Sequence, residues 1–160
     1  LALAADEVWA HDSVVLNPHY KNMGNLYGSE YWTYLLPRRL GDAGARDLMA
    51  SRLPLRAVDA QRMGLIDHCD DGPRAGLDAR CVSRALACAD SYNWPEWLAA
   101  KQARRAADEA HCPLARYREQ ELARMHRNFF GFDPSYHVAR HHFVHKLPHA
   151  WTPRHLATHR

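Results

Sequence analysis

His137, His141 and His145 recur at every fourth position near the C-terminal end of the chain, a spacing that lines imidazoles along one face of a helix. Imidazoles one turn apart are how helical metal sites are built. Here no Cys, Asp or Glu stands at a matching position and His142 interrupts the stripe, so the ligand count of a metal site is unmet. A surface or packing role is the favoured reading, with no metal expected. Arg140 and Lys146 belong to the same segment and place cations near its end, where helix carbonyls favour positive charge. Cys69, Cys81, Cys88 and Cys112 form no CxxC pair. Without a secretory context, free thiols in a reducing cytoplasm are expected. The twelve histidines would make the surface more basic below about pH 6.5.

These groups must be positioned by elements that the sequence outlines. Asp6–Leu16 carries β-branched residues and a Trp around the polar break His11-Asp12-Ser13, which reads as short strands joined by a turn. Pro18 then breaks the pattern, and Lys21–Gly28 is loop-like, with Asn22, Gly24, Asn25 and Gly28 as turn formers. Ser29 is placed to cap a helix over Glu30–Leu40, kinked or split at Pro37 and closed by Gly41. Asp42 opens a second helix ending near Ser51. Leu55–Ala60 leads into a short helix stopping at Gly64, and Leu65–His68 reads as a strand. Asp70–Arg74 is the clearest break. Beyond it the periodicity predicts helices over Leu77–Ser91, Pro95–His111, Leu114–Asn128 and Pro134–Leu147, the last with Ser135 near its start.

The 160 residues are 47% hydrophobic and 24% charged, the balance of a globular domain with a sizeable core. A net charge of +3 is too small to indicate a polyanion partner, and no basic run interleaves with aromatics as nucleic-acid binding requires. The apolar opening Leu1–Ala5 is too short to span a membrane and lacks the basic start of a signal peptide. With no initiating Met, it reads as a cut inside a longer chain.

Four pieces, LALAAD at 1–6, GSEYWTYLLPRRLG at 28–41, DAGARDLMAS at 42–51 and AVDAQRMGLIDH at 57–68, are similar in order and spacing to the second half of a crotonase (enoyl-CoA hydratase/isomerase) core. NPHYKNMGNLYGSEYWTYLLPRR at 17–39, YREQELARMHRNFFGFDPSYHVARHHFVHK at 117–146 and TPRHLATHR at 152–160 resemble the HoxX-type branch, hydrogenase maturation proteins. The resemblance implies an α/β fold: residues 1–70 as the C-terminal half of a crotonase-like core, and 71–160 as an all-helical C-terminal extension. It also implies an N-terminal domain, like formyl-tetrahydrofolate hydrolases, that passes a formyl group from formyl-tetrahydrofolate to coenzyme A. The crotonase-like domain would then release carbon monoxide from formyl-CoA for the iron of [NiFe]-hydrogenase, with the hydrogenase maturation machinery as partner.

By the same resemblance, the position of a hydratase carboxylate falls on Tyr20, and Glu30 falls on the Gly-rich turn opening the next helix. A phenol, with an ordinary pKa of about 10, stays protonated at neutral pH and serves as a donor, which argues against simple hydration. Tyr20 hydrogen-bonded to Glu30 would relay the formyl proton, with Glu30 as base or orienter. Plainer roles stand beside these: a buried aromatic for Tyr20, and for Glu30 a first-turn acid favoured by the helix dipole. Lys146 and Arg140 resemble the terminal-helix cations that contact CoA phosphates; a solvated helix end is the plainer role. Asn22, Asn25 and Tyr27 line the intervening loop and would shape a small pocket. Trp94, Trp97, Tyr117, Phe129, Phe130, Phe132 and Tyr136 are expected to pack the helices on the crotonase layer.

The backbone donors of the crotonase oxyanion hole, and most CoA contacts, would lie upstream of Leu1, so the isolated segment is expected to be inactive. A hydratase or isomerase of a larger acyl-CoA and a non-catalytic docking module for hydrogenase maturation remain the alternatives.

Overall fold

The computed structural model describes residues 2–17, 23–51 and 53–148. After a 3-10 turn at Ala2–Ala4, strands β1 (Trp9–His11) and β2 (Val15–Leu16) flank the expected turn. They do not pair with each other. β1 runs parallel to β4 (His68–Asp70), with Ala10 opposite Cys69, and β2 runs antiparallel to β3 (Leu55–Arg56). The parallel pair needs a long crossover, and helices α1 (Trp32–Ser51) and α2 (Ala57–Arg62) lie within it. Four further helices follow: α3 (Leu77–Ala89), α4 (Trp94–His111), α5 (Leu114–Phe130) and α6 (Pro134–His145).

The core lies among the strands, α1 and α2. Ala10, Leu36, Ala45, Ala57, Ala60, Leu65 and Ile66 are buried, and Leu3, Val8, Leu16, Trp32 and Leu40 pack against them. Ala57 and Ala60 are fully buried: small side chains let the short α2 approach the strands closely. Outside this cluster, Leu26, Tyr136 and Ala139 are buried where the loop before α1 meets α6.

Three local expectations change. The helix expected over Glu30–Leu40 starts at Trp32, two residues later, where a side chain far along the chain accepts the Tyr31 and Thr33 amides. Pro37 does not split it. Pro37 costs that helix one backbone bond, but the kink sits at Gly41, whose φ of 68° and ψ of 169° leave helical space. The strand expected over Leu65–His68 lies instead at His68–Asp70, because Leu65 and Ile66 are used as core plugs in the turn after α2, with the Leu65 amide on the Ala60 carbonyl.

The aromatic expectation holds only in part. Tyr136 is buried and Tyr117 half-buried, but Phe130 and Phe132 are 77% and 98% exposed, and Trp94 and Trp97 stack on each other near the surface. Among the described residues, no helix is long and apolar enough to cross a membrane.

Candidate functional site

Tyr20 and Asn22 lie outside the described residues, so the site is built from the loop that follows them. Between Met23 and Tyr31 the chain reverses direction repeatedly. Gly24, Asn25, Gly28 and Tyr31 all take positive φ, a region open to Gly, tolerated by Asn and unfavourable for Tyr. Glu30 stands between two of these reversals and is exposed. No side chain among the described residues donates to its carboxylate, so its own contacts do not fix its direction.

The neighbours of Glu30 are fixed from a distance. Glu121, near the middle of α5, is fully buried. Its Oε2 accepts the amide of Tyr31 at 2.9 Å, and its Oε1 accepts the amide and hydroxyl of Thr33 at 2.9 and 2.5 Å. The first amides of a helix have no partner inside it, and a carboxylate is well matched to them. Here the cap is supplied in trans, by Glu121, and the start of α1 lies at Trp32 rather than at the Ser29-capped position.

A second anchor lies one turn of loop earlier. Asn128 of α5 accepts the Tyr27 amide on Oδ1 at 3.0 Å and donates from Nδ2 to Asp133 at 2.6 Å. Asp133 caps α6, its other oxygen accepting from the Tyr136 amide at 3.1 Å. The Tyr27 carbonyl in turn accepts from the indole of Trp32 at 2.9 Å. Gly24 completes the contact: a Cβ there would fall on the backbone of Ser135 and Tyr136. Burial pushes the Tyr136 phenol above its ordinary range. The loop carrying Glu30 is therefore clamped by α5 and α6.

The other expected residues fall as follows. Arg140 is exposed on α6, and Lys146, also exposed, ends that helix in a left-handed conformation with its ammonium 4.7 Å from the Phe143 ring centre. Asn25 lines a cavity of about 350 Å³ together with Trp32, Pro37 and Asp42. A larger cleft of about 780 Å³ opens between β1, α3 and α4, lined by Trp9, Arg84, Cys88, Trp94 and Trp97. It does not include the Glu30 loop. The rings of His141 and His145 meet at a tilt, with centres 4.4 Å apart, and His137 meets the Gly131 carbonyl at 3.0 Å. Among the described residues, no group of three His, Cys, Asp or Glu could hold a metal ion.

Glu121, Asn128 and Asp133 brace the candidate site and were not among the residues expected from the sequence. Asp133 was within reach, since Asp-Pro at a helix start is a capping signal. Glu121 carries no local signal: within YREQEL it is one charged residue among several.

What this arrangement can do chemically is hold a single exposed carboxylate on a loop rigidly braced from behind. No family model matches the chain. Over its whole length the chain is 56% identical to the hydrogenase maturation factor HoxX of Bradyrhizobium diazoefficiens, of which it spans 28%. It matches the crystal structure of HypX from Aquifex aeolicus in complex with tetrahydrofolic acid with a TM-score of 0.85 and 43% identity, over 99% of this chain and 28% of that one. Enoyl-CoA hydratase from Bacillus halodurans matches with a TM-score of 0.67 and 21% identity, over 86% of this chain and 52% of that one. The last likeness is one of fold: the chain is an α/β, crotonase-like segment spanning little more than a quarter of the length of HoxX and HypX.

Proposed function

We propose, from the premise that this chain belongs with the HoxX-type hydrogenase maturation proteins, that it forms the crotonase-like part of a cytoplasmic enzyme releasing carbon monoxide from formyl-CoA. The formyl group comes from formyl-tetrahydrofolate through a separate N-terminal domain, and the carbon monoxide serves the active-site iron of [NiFe]-hydrogenase. The observation that carries this reading is the 56% identity sustained along the entire chain. The tetrahydrofolic acid in the HypX structure supports folate as the formyl source, and the crotonase-like fold supports a CoA thioester as substrate.

In this reaction the formyl C–H proton leaves, the C–S bond breaks, and the proton ends on the departing thiolate, so that formyl-CoA gives carbon monoxide and CoA. Glu30 takes the formyl proton or orients the group that does, and the Tyr20 hydroxyl relays it toward the sulfur. The exposed carboxylate of Glu30, on a braced loop, suits a group that must meet a substrate. Arg140 and Lys146 contribute charge toward the CoA phosphates.

The test uses the full-length protein carrying this segment, supplied with formyl-tetrahydrofolate and CoA, with carbon monoxide followed by the spectral shift of reduced haemoglobin. CoA-dependent release that disappears in Tyr20→Phe and Glu30→Gln is the expected result. A folded, CoA-binding protein that yields none would overturn the reading, and hydration of crotonyl-CoA by that protein would favour an ordinary hydratase.

A further inference from the structure

We infer that Glu121 is a positioning residue for Glu30: its buried carboxylate holds Tyr31 in a left-handed conformation and so sets the direction in which Glu30 leaves the chain. The inference rests on Glu30 being the acid–base group of the proposed reaction. Tyr31 has φ 58°, a conformation that a side chain with a Cβ adopts only when its surroundings impose it. The imposing contact is the 2.9 Å hydrogen bond from the Tyr31 amide to Glu121 Oε2. Thr33 fixes the carboxylate itself, donating its amide and hydroxyl to Oε1.

Glu121 is not an ordinary surface acid of α5. It is fully buried, and it forms no ion pair with a Lys or Arg among the described residues. Its three donors all come from Tyr31 and Thr33, the residues on either side of Trp32, where α1 begins. Since Glu30 is exposed and accepts nothing from the described residues, the reversal at Tyr31 is what aims it. Small misplacements of a reacting group cost large factors in rate.

Glu121→Gln keeps the shape but turns one acceptor oxygen into an amide nitrogen, so the Tyr31 or the Thr33 amide loses its partner. In the full-length protein, carbon monoxide release should fall about tenfold or more, with CoA binding unchanged. Tyr31→Gly removes the reason the hold is needed, because Gly adopts positive φ freely. In the Glu121→Gln background it should restore the rate to within about threefold of Tyr31→Gly alone, a misplacement far smaller than the one it repairs. A purely structural Glu121 would not be rescued by deleting a second side chain, so failure of rescue, or an unchanged rate in Glu121→Gln, overturns the inference.

If the wild-type protein releases no carbon monoxide, the proposed reaction fails, but the hold on Tyr31 is still read by hydrogen exchange. The Tyr31 and Thr33 amides should exchange slowly in the wild type and faster in Glu121→Gln. Equal rates in the two proteins would overturn the inference by themselves.

Discussion

Helices α3 and α4 and helices α5 and α6 are joined to the same crotonase-like layer in opposite ways. α3 and α4 bury no residue. They are tied by three ion pairs near the surface, Arg84 with Glu7 at 2.6 Å, Lys101 with Asp6 at 2.5 Å and Arg38 with Asp108, and by one between Arg80 and the buried carboxylate of Asp70. α5 and α6 bury Glu121, Tyr136 and Ala139; side chains of α5 accept backbone amides of the Glu30 loop, and the backbone of α6 packs against Gly24. The three exposed pairs contribute little and yield to salt, whereas a buried carboxylate with its donors in place, Asp70 or Glu121, is costly to disturb. The difference teaches that the second helical pair braces the candidate site, while the first, apart from its hold on Asp70, is attached through exposed charges.

Removing the buried carboxylate should separate the two regions most sharply. Glu121→Ala leaves two backbone amides and a hydroxyl without an acceptor, at about 1–3 kcal/mol for each group that stays buried. The expected loss is about 3–5 kcal/mol, read by thermal or denaturant unfolding of the full-length protein. A loss below about 1 kcal/mol would place α5 with the loosely attached helices. Gly24→Ala comes next, at about 2–4 kcal/mol, from a side chain forced against α6 and a positive φ of 60° that Ala resists. Its loop peptides should also exchange faster than those of α3.

For the peripheral pair the expected effect is a change in acid sensitivity. The guanidinium of Arg80 holds the Asp70 carboxyl below its ordinary value of 3.8, and that of Arg84 holds Glu7 below 4.5. Both contributions are complete above about pH 5 and are lost as pH falls through the lowered folded values. Arg80→Met returns Asp70 toward 3.8, so acid unfolding should begin at a higher pH than in the wild type. An unmoved acid transition would mean that the pair contributes nothing. The smallest effect belongs to Leu86→Ser on α3. Leu86 is 59% exposed, so stability should change by less than about 0.5 kcal/mol.

The same division explains what the sequence made legible. The four C-terminal helices follow from their own periodicity and from Pro95, Pro113 and Pro134, so their limits lie within a few residues of those expected. α2 and the stop at Gly64 were equally local. The start of α1 was not, because Ser29 looks like a cap while the cap in use, Glu121, lies far along the chain. Nor could the apolar pair Leu65-Ile66 be told from a strand when its role is to plug a turn. Phe130 and Phe132 read as core by residue type alone, yet both stand exposed. For the site, Glu30 came from resemblance; the residues that brace it came only from the fold.

The bonds from Tyr27, Tyr31 and Thr33 to α5 span 101, 90 and 88 residues. At the usual pace of translation, about 5–20 residues per second, roughly 4–20 s pass between synthesis of the loop and synthesis of its acceptors. Throughout that interval the Tyr31 and Thr33 amides have only water to bond, and the nascent chain carries Glu30 on an unshaped segment. The site is thus withheld until α5 and α6 have been made, and a ribosome that stalls before Glu121 releases a chain with a core but no braced carboxylate.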